Sequence, residues 1–238
     1  MLQYSYRIFT ILLLIFLTSC HQQKDHSNAT SEKMVDTTKN NKKEKAAPKK
    51  IAIEDTIILN DDNVIPFLKY YGDKNPENKV KVTTKFGSFI IQLYENTPYH
   101  RANFIYLTKR KYFNGSYFYR VVKDFIIQGG DSDNMSLAEK RQKIGKYLLP
   151  PDTHKGHKHD YGTVSMPSSN IDNPYKLASP FEFFIVCQKP GAYHLDGNYT
   201  AFGKVIEGMD VVEKINHVKT GDDEWPLMNV PMQVEIVK

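Results

Sequence analysis

The sequence predicts a mainly β fold, closed as an antiparallel barrel. Two observations carry this. Many short strand-like runs follow one another between Gly- and Asn-containing turn signals, and two helical stretches stand far apart among them. Closure removes the unpaired edges such a sheet would otherwise expose. No internal repeat is visible.

The elements follow in order. A short helical piece comes first, with Asn63 as its cap, Pro66 in its first turn and Gly72 at its C-terminal stop. Lys79 to Thr84 and Ser88 to Leu93 form two strands with Phe86-Gly87 in the turn between them. Thr97-Pro98 opens a helix whose apolar face includes Phe104, Ile105 and Leu107. After a turn at Asn114-Gly115, Tyr117 to Val122 and Phe125 to Gln128 are strand-like. Thr163 to Met166, Phe181 to Cys187 and Thr200 to Val205 are further strands. Gly208 to His217 is the second helix, with Val211, Val212 and Ile215 at helical spacing, and Gln233 to Val237 closes the chain.

Composition bounds the function. The 238 residues are 40% hydrophobic and 25% charged, with 13 Gly and 12 Pro, which excludes a collagen, a coiled coil and a wholly disordered chain. The formal net charge of +5 invites a nucleic-acid reading. Its location removes that reading. Residues 21–50 hold eight Lys against four acidic residues, while residues 51–238 hold 23 basic and 23 acidic residues. The foldable part is neutral, and no nucleic-acid partner is expected.

The N-terminus reads as a targeting segment. Arg7 precedes Ile8 to Leu17, ten residues with only Thr10 polar. That run is shorter than the roughly 20 residues a membrane-spanning helix needs, and it fits the apolar stretch of a secretory signal peptide. It ends Leu17-Thr18-Ser19-Cys20, which resembles the lipobox of bacterial lipoproteins. By that resemblance residues 1–19 are a lipoprotein signal peptide and Cys20 is lipidated. Several acyl chains on one Cys anchor stably where one is marginal. Residues 20–50 are the lipidated Cys and a Lys-rich flexible tether, too poor in apolar residues to fold. Thirty such residues span roughly 30 Å. Residues 51–78 form an N-terminal extension with the short helix. With Cys20 lipidated, Cys187 is left without an intrachain partner, and its apolar surroundings Phe183 to Val186 predict a buried, inert thiol.

The motifs of residues 79–238 then name a family. Phe118-Tyr119-Arg120-Val121-Val122-Lys123-Asp124-Phe125-Ile126-Ile127-Gln128-Gly129-Gly130-Asp131 closely resembles the cyclophilin signature F-H-R-x-x-x-x-F-x-x-Q-G-G-D. Gly162 to Met166, Phe181 to Ile185, Leu195 to Val205 and Gly208 to Val212 follow in the family's order. The resemblance implies an eight-stranded antiparallel barrel capped by two helices. It implies peptidyl-prolyl cis/trans isomerase activity on proline-containing segments, and together with the lipobox resemblance it gives the expectation of a monomer in the bacterial cell envelope acting on exported proteins.

The chemistry is that of a hindered amide rotation, with a barrier of about 20 kcal/mol. It needs no nucleophile, metal or cofactor. It needs a twisted amide bound better than a planar one. Twisting frees the prolyl nitrogen lone pair, and Arg120, the family's matching residue, is a permanently charged donor for it. By resemblance Gln128 bonds the acyl carbonyl region, and Phe125, Ile126, Phe184, Leu195 and Tyr199 grip the ring, with Ser168, Glu182 and His194 at the remaining family positions. Several positions depart from the pattern. Pro167-Ser168-Ser169 stands where Ala-Asn-Ala is frequent, and Pro167 has no N–H for a substrate chain. Glu182 replaces a Gln and is placed to pair with Arg120 or to orient it. Tyr199 replaces a frequent His, and His194 a frequent Trp. Those two features, Pro167 and Glu182, favour a second reading as a proline-segment binding module with little turnover. His154, His157 and His159, beside Asp160, have metal-ligand chemistry, but a loop of this composition lacks a rigid frame and reads as polar surface.

Overall fold

The computed structural model describes residues 57–168 and 172–237. The signal segment, Cys20, the tether, residues 51–56 and Ser169 lie outside the described residues.

Eight strands make one antiparallel sheet. They are β1 (Lys79–Thr84), β2 (Gly87–Leu93), β3 (Tyr117–Val122), β4 (Ile126–Asp131), β5 (Thr163–Met166), β6 (Phe183–Val186), β7 (Thr200–Glu207) and β8 (Gln233–Ile236). Their order across the sheet is β3-β4-β6-β5-β7-β2-β1-β8. The expected closed barrel is therefore corrected to an open half-barrel, with β3 and β8 as its edges. Near the gap, the segment before β8 makes one bridge, Tyr117 to Pro231, with Phe118 N–H donating to the Val230 carbonyl and Met232 N–H to the Ser116 carbonyl. Pro231 has no N–H to extend that contact into a ladder.

Four α-helices accompany the sheet: α1 (Val64–Lys74), α2 (Pro98–Lys109), α3 (Met135–Ile144) and α4 (Met209–Asn216). Of the two capping helices expected, α2 begins at Pro98 after Thr97, and α4 buries Val211, Val212 and Ile215. The third helix, α3, was not expected. Asn134 caps it by accepting the Ser136 N–H at 2.9 Å, and Gly145 ends it at φ +123. Only Leu137 and Ile144 are buried, too few to print an apolar period on the sequence.

Two details of α1 differ from expectation. Asn63 makes no side-chain cap bond to the helix; Asn60 turns the chain instead, its Oδ1 accepting the N–H groups of Asp62 and Asn63. Gly72 lies inside the helix rather than at its stop, where a Cβ would come within 3.1 Å of the Ala102 Cβ. Its role is close approach of α1 to α2. Arg101 of α2 then donates to the carbonyls of Asn75 and Gly72 at the C-terminal end of α1, satisfying groups a helix end leaves open.

The main core holds a cluster of rings. Phe104 stacks on Phe113 at 4.7 Å and meets Phe183 edge-on at 5.4 Å, with Phe118 and Phe202 adjoining. Cys187 is buried, and burial pushes its thiol up to about 12, so it stays an inert thiol.

The N-terminal extension is part of this core. Leu59 is 0% exposed, donates its N–H to the Ile144 carbonyl at 2.7 Å and accepts the Lys146 N–H at 3.0 Å. Leu59→Ala is expected to destabilise the protein by about 2–5 kcal/mol in chemical denaturation. Ile58→Ala, at a side chain 64% exposed, should change stability by no more than about 0.5 kcal/mol. Equal effects of the two would contradict the docking of this extension.

Candidate active site

A strand offers alternate residues to opposite faces. In β4 and β6 both faces are apolar. Ile127, Phe183 and Ile185 point into the main core, while Ile126, Phe184 and Val186 form a second buried cluster with Ala192 and Leu195. Val122, Phe125 and Tyr199 pack on that second cluster. The register pairs Ile126 with Val186 and Gln128 with Phe184, so the second face carries Gln128 beside an apolar floor.

Arg120 reaches this face through a β-bulge. Phe118 pairs with Gly129 and Arg120 with Gln128, so two steps along β3 match one along β4, with Tyr119 as the extra residue. Without the bulge, Phe118 and Arg120 would share a face. With it, Phe118 and Val121 enter the core while Arg120 lines the cleft. The β3–β4 turn is held from α4. Asn216, buried, accepts the Asp124 N–H at 2.8 Å and donates to the carbonyls of Val122 and Ile126 at 2.9 and 3.2 Å. That clamp keeps Asp124 at φ +56 and sets Phe125 and Ile126 in place.

The result is a cleft of about 290 Å³ lined by Arg120, Phe125, Ile126, Gln128, Pro167, Ser168, Phe184, Leu195 and Tyr199. Eight of the ten catalytic and substrate-binding residues named from the sequence thus meet there. Two do not line it. His194 stacks on Phe125 at 5.4 Å from outside, and Glu182 sits behind Gln128. Pro167, named as a departure, is a lining residue, and its carbonyl accepts the Ser179 N–H at 2.8 Å.

The carboxylates around the site are sorted. The pairing of Glu182 with Arg120 that the sequence allowed is corrected: Arg120 Nε donates to Glu224 Oε2 at 2.6 Å. Glu182 Oε2 accepts instead from the Tyr119 hydroxyl and from Gln128 Nε2. Glu224 comes from the loop before β8, at φ +64, and its carbonyl accepts the Val121 N–H at 2.9 Å. A non-glycine residue in that region stores strain of about 1–3 kcal/mol, and here it serves to present a carboxylate to Arg120. Burial, with the Glu182 carboxylate beside it, pushes the Tyr119 hydroxyl far above the ordinary phenol range, so it stays protonated.

The cleft has a rigid underside. The ring of His159 lies parallel to Phe184 at 6.0 Å, its Nδ1 2.7 Å from Asp196 Oδ1 and its Nε2 3.0 Å from Ser165 Oγ. Burial lowers its pKa despite Asp196, so the neutral imidazole donates from Nδ1 and accepts at Nε2. The three histidines of the loop separate: His159 is buried here, while His157 stacks on Tyr94 at 3.7 Å and contacts Asn96. Among the described residues no group of three or more His, Cys, Asp or Glu could hold a metal ion.

A larger cleft of about 660 Å³ lies along α3 and includes Glu182, Arg141, Tyr147 and Phe181. It lacks Arg120 and the ring-gripping cluster, so size alone does not make it the reaction site. Sequence reasoning missed Tyr119, Asn216 and Glu224, and its reading of His159 as polar surface is corrected, since that ring is buried. The Tyr in place of the signature's His was the one visible signal among them.

Comparison with known proteins agrees with this geometry. The family model for "Cyclophilin type peptidyl-prolyl cis-trans isomerase/CLD" matches residues 79–236. A peptidyl-prolyl cis-trans isomerase of Acinetobacter baylyi is 34% identical over 157 residues, 65% of this chain and 79% of its own length. One of Arabidopsis thaliana is 31% identical over 154 residues, 64% of this chain and 88% of its own. A solved cyclophilin type isomerase of Cryptosporidium parvum shares the fold, with a TM-score of 0.57 at 24% identity, covering 68% of this chain and 98% of its own. Residues 79–236 therefore make this chain a member of the cyclophilin-type peptidyl-prolyl cis-trans isomerase family.

Proposed function

We propose that this isomerase acts on X–Pro bonds of exported proteins while held at a bacterial membrane by a lipidated Cys20, with Arg120 donating to the prolyl nitrogen of a twisted amide. The observation that supports the mechanism is the placement of Arg120. Among the described residues it is the one cation lining the cleft, beside the apolar side chains of Ile126, Phe184 and Leu195, and its hydrogen bond to Glu224 uses Nε alone. A guanidinium has five N–H donors, so both terminal nitrogens remain available to substrate. An exposed ion pair of this kind is worth about 0–1 kcal/mol, so it orients the side chain at little energetic cost to a competing donor role.

The rotation proceeds in a simple order. The proline ring settles on Phe125, Ile126, Phe184 and Leu195, which excludes water from the amide. The acyl side then turns, resonance is lost, and the nitrogen becomes pyramidal and basic. A donor waiting there strengthens only in the transition state, which is what raises kcat. The binding-module alternative rested on Glu182 disabling Arg120 and on Pro167. Arg120 is engaged by Glu224 instead, and Pro167 leaves the cleft one backbone donor short without filling it.

Two measurements test this. In a protease-coupled assay on an X–Pro peptide, Arg120→Ala should lower kcat/KM roughly 10- to 150-fold, the worth of one charge-assisted hydrogen bond. Arg120→Lys should fail to restore it, because an ammonium cannot keep the Nε bond and donate from the same position. An inactive wild type would favour the binding module. For the anchor, the full chain expressed in bacteria should take up labelled palmitate and sediment with membranes, and Cys20→Ser should abolish both. Unchanged labelling would refute lipidation at Cys20.

A further inference from the structure

We propose that His159 is a positioning residue that ties the Leu195 and Phe184 sides of the cleft together, so that the grip on a proline ring is held while its imidazole is neutral and loosens when the imidazole takes up a proton. The inference rests on the cleft binding X–Pro segments as described above.

The tie is a chain of hydrogen bonds under the cleft. Asp196 follows Leu195 in the chain, and its Oδ1 accepts twice from His159, from the backbone N–H at 2.9 Å and from ring Nδ1 at 2.7 Å. The other ring nitrogen, Nε2, lies 3.0 Å from Ser165 Oγ. Ser165 stands opposite Phe184 in the β5–β6 register, and Phe184 lines the cleft. The His159 carbonyl also accepts the Ala192 N–H at 2.7 Å. The turn that carries Leu195 is thus fastened to His159 on both sides of that residue. Tyr199 follows the turn, since its N–H donates to the Leu195 carbonyl at 3.2 Å and its ring meets Phe184 edge-on.

These bonds assign the protons. A carboxylate oxygen accepts, so Nδ1 carries the hydrogen. Nε2 of the neutral ring then accepts, and the Ser165 hydroxyl donates to it. Ring and hydroxyl are enclosed, at 1% and 0% exposure. A second proton, on Nε2, makes a donor of that acceptor. Ser165 must then turn its own hydrogen out of the bond, inside the fold, and a charge comes to lie against the Phe184 side.

The groups facing the ring come from every segment packed on it. Asp196 and His194 lie on the turn, Asp160 follows His159, and β5 and β6 bring Ser165 and Phe184, which do not ionise in this range. Burial holds the imidazole below its ordinary pKa of 6.5. Asp196 pulls it back up, with a smaller push down from His194 and a smaller pull up from Asp160. The ring is therefore neutral at pH 7 and above, and charges only as pH falls through that lowered value. Ring grip serves the planar and the twisted amide alike, so its loss raises KM and leaves kcat. A weakened Arg120 would show in kcat instead.

An NMR series on the full chain from about pH 8 to about pH 5 covers this titration. It follows the imidazole nitrogens, the Leu195 methyl and Phe184 ring signals, and the Kd and exchange rate of an X–Pro–Ala peptide. At the alkaline end His159 should carry its hydrogen on Nδ1 and none on Nε2. Leu195 and Phe184 should shift with the His159 midpoint. Across the same midpoint Kd should rise about 5-fold while kcat changes less than about 2-fold. Asp196→Asn keeps an acceptor oxygen and removes the charge that favours the imidazolium, so all these midpoints should move together to lower pH. A ring that only fills space would leave the pH course of binding unmoved. His194→Gln, which removes the neighbouring imidazole, should keep the weakening on the acid side. A neutral ring with its hydrogen on Nε2, a Kd flat through the His159 midpoint, or an Asp196→Asn course that coincides with that of the wild type would each overturn the proposal. The wild-type series stands even if a variant fails to fold. A peptide that binds at pH 8 without shifting Leu195 or Phe184 would overturn the substrate site; the shifts of those two residues with His159 in the free protein would still decide this inference.

Discussion

One extra residue in β3 sets the geometry on which this molecule depends. A regular strand would place Phe118 and Arg120 on one face, and either the core would take a guanidinium or the cleft would lose its cation. The bulge at Tyr119 breaks the alternation, so Phe118 joins the ring cluster and Arg120 stands over the second apolar face. The same irregularity turns the Tyr119 hydroxyl toward Glu182 and Gln128. The Asn216 clamp from α4 then holds the turn that follows. Hairpin, helix and cleft are thus one mechanical unit, with Arg120 at its centre.

Electrostatic order is the second feature. Two carboxylates lie near one cation, and the fold keeps their tasks apart. Glu224 fixes Arg120 through Nε, and Glu182 fixes Gln128 through its amide nitrogen. Neither bond is strong enough by itself to hold the fold together, since exposed ion pairs contribute little. Their effect is orientation. Ile126, Phe184 and Leu195 form the apolar floor of the cleft, with Val186 and Ala192 buried behind them and the neutral His159 ring parallel to Phe184.

How much of this was legible in the sequence depends on the range of the interaction. The strands and α4 were readable because alternation and helical spacing are local. Phe125, Ile126, Phe184, Leu195 and Tyr199 were readable as a set because their motifs recur in a family's order. The α3 helix was not, since two buried residues leave no period. The open edge between β3 and β8 was not, because alternation reports which face is buried and says nothing about which strands pair at a margin. Glu224 was not, because it lies 104 residues from Arg120 in the chain and reaches it from a loop. Glu182 was noticed and given the wrong partner: nearness of opposite charges was assumed where the bulge had already turned Arg120 toward another loop. The basic charge that first suggested nucleic acid belongs to residues 21–50, and the neutral remainder suits uncharged peptide segments.

The proposed rotation calls on no covalent chemistry: an apolar floor to seat a ring, a bulge to aim a donor, and two carboxylates to hold Arg120 and Gln128. A crystal structure of the chain with an X–Pro peptide would put this to the test. The proline ring should lie on Phe125, Ile126, Phe184 and Leu195, with a terminal nitrogen of Arg120 at the prolyl nitrogen and Glu224 still on Nε. A ring seated elsewhere, or Arg120 turned onto Glu182 in the complex, would contradict it.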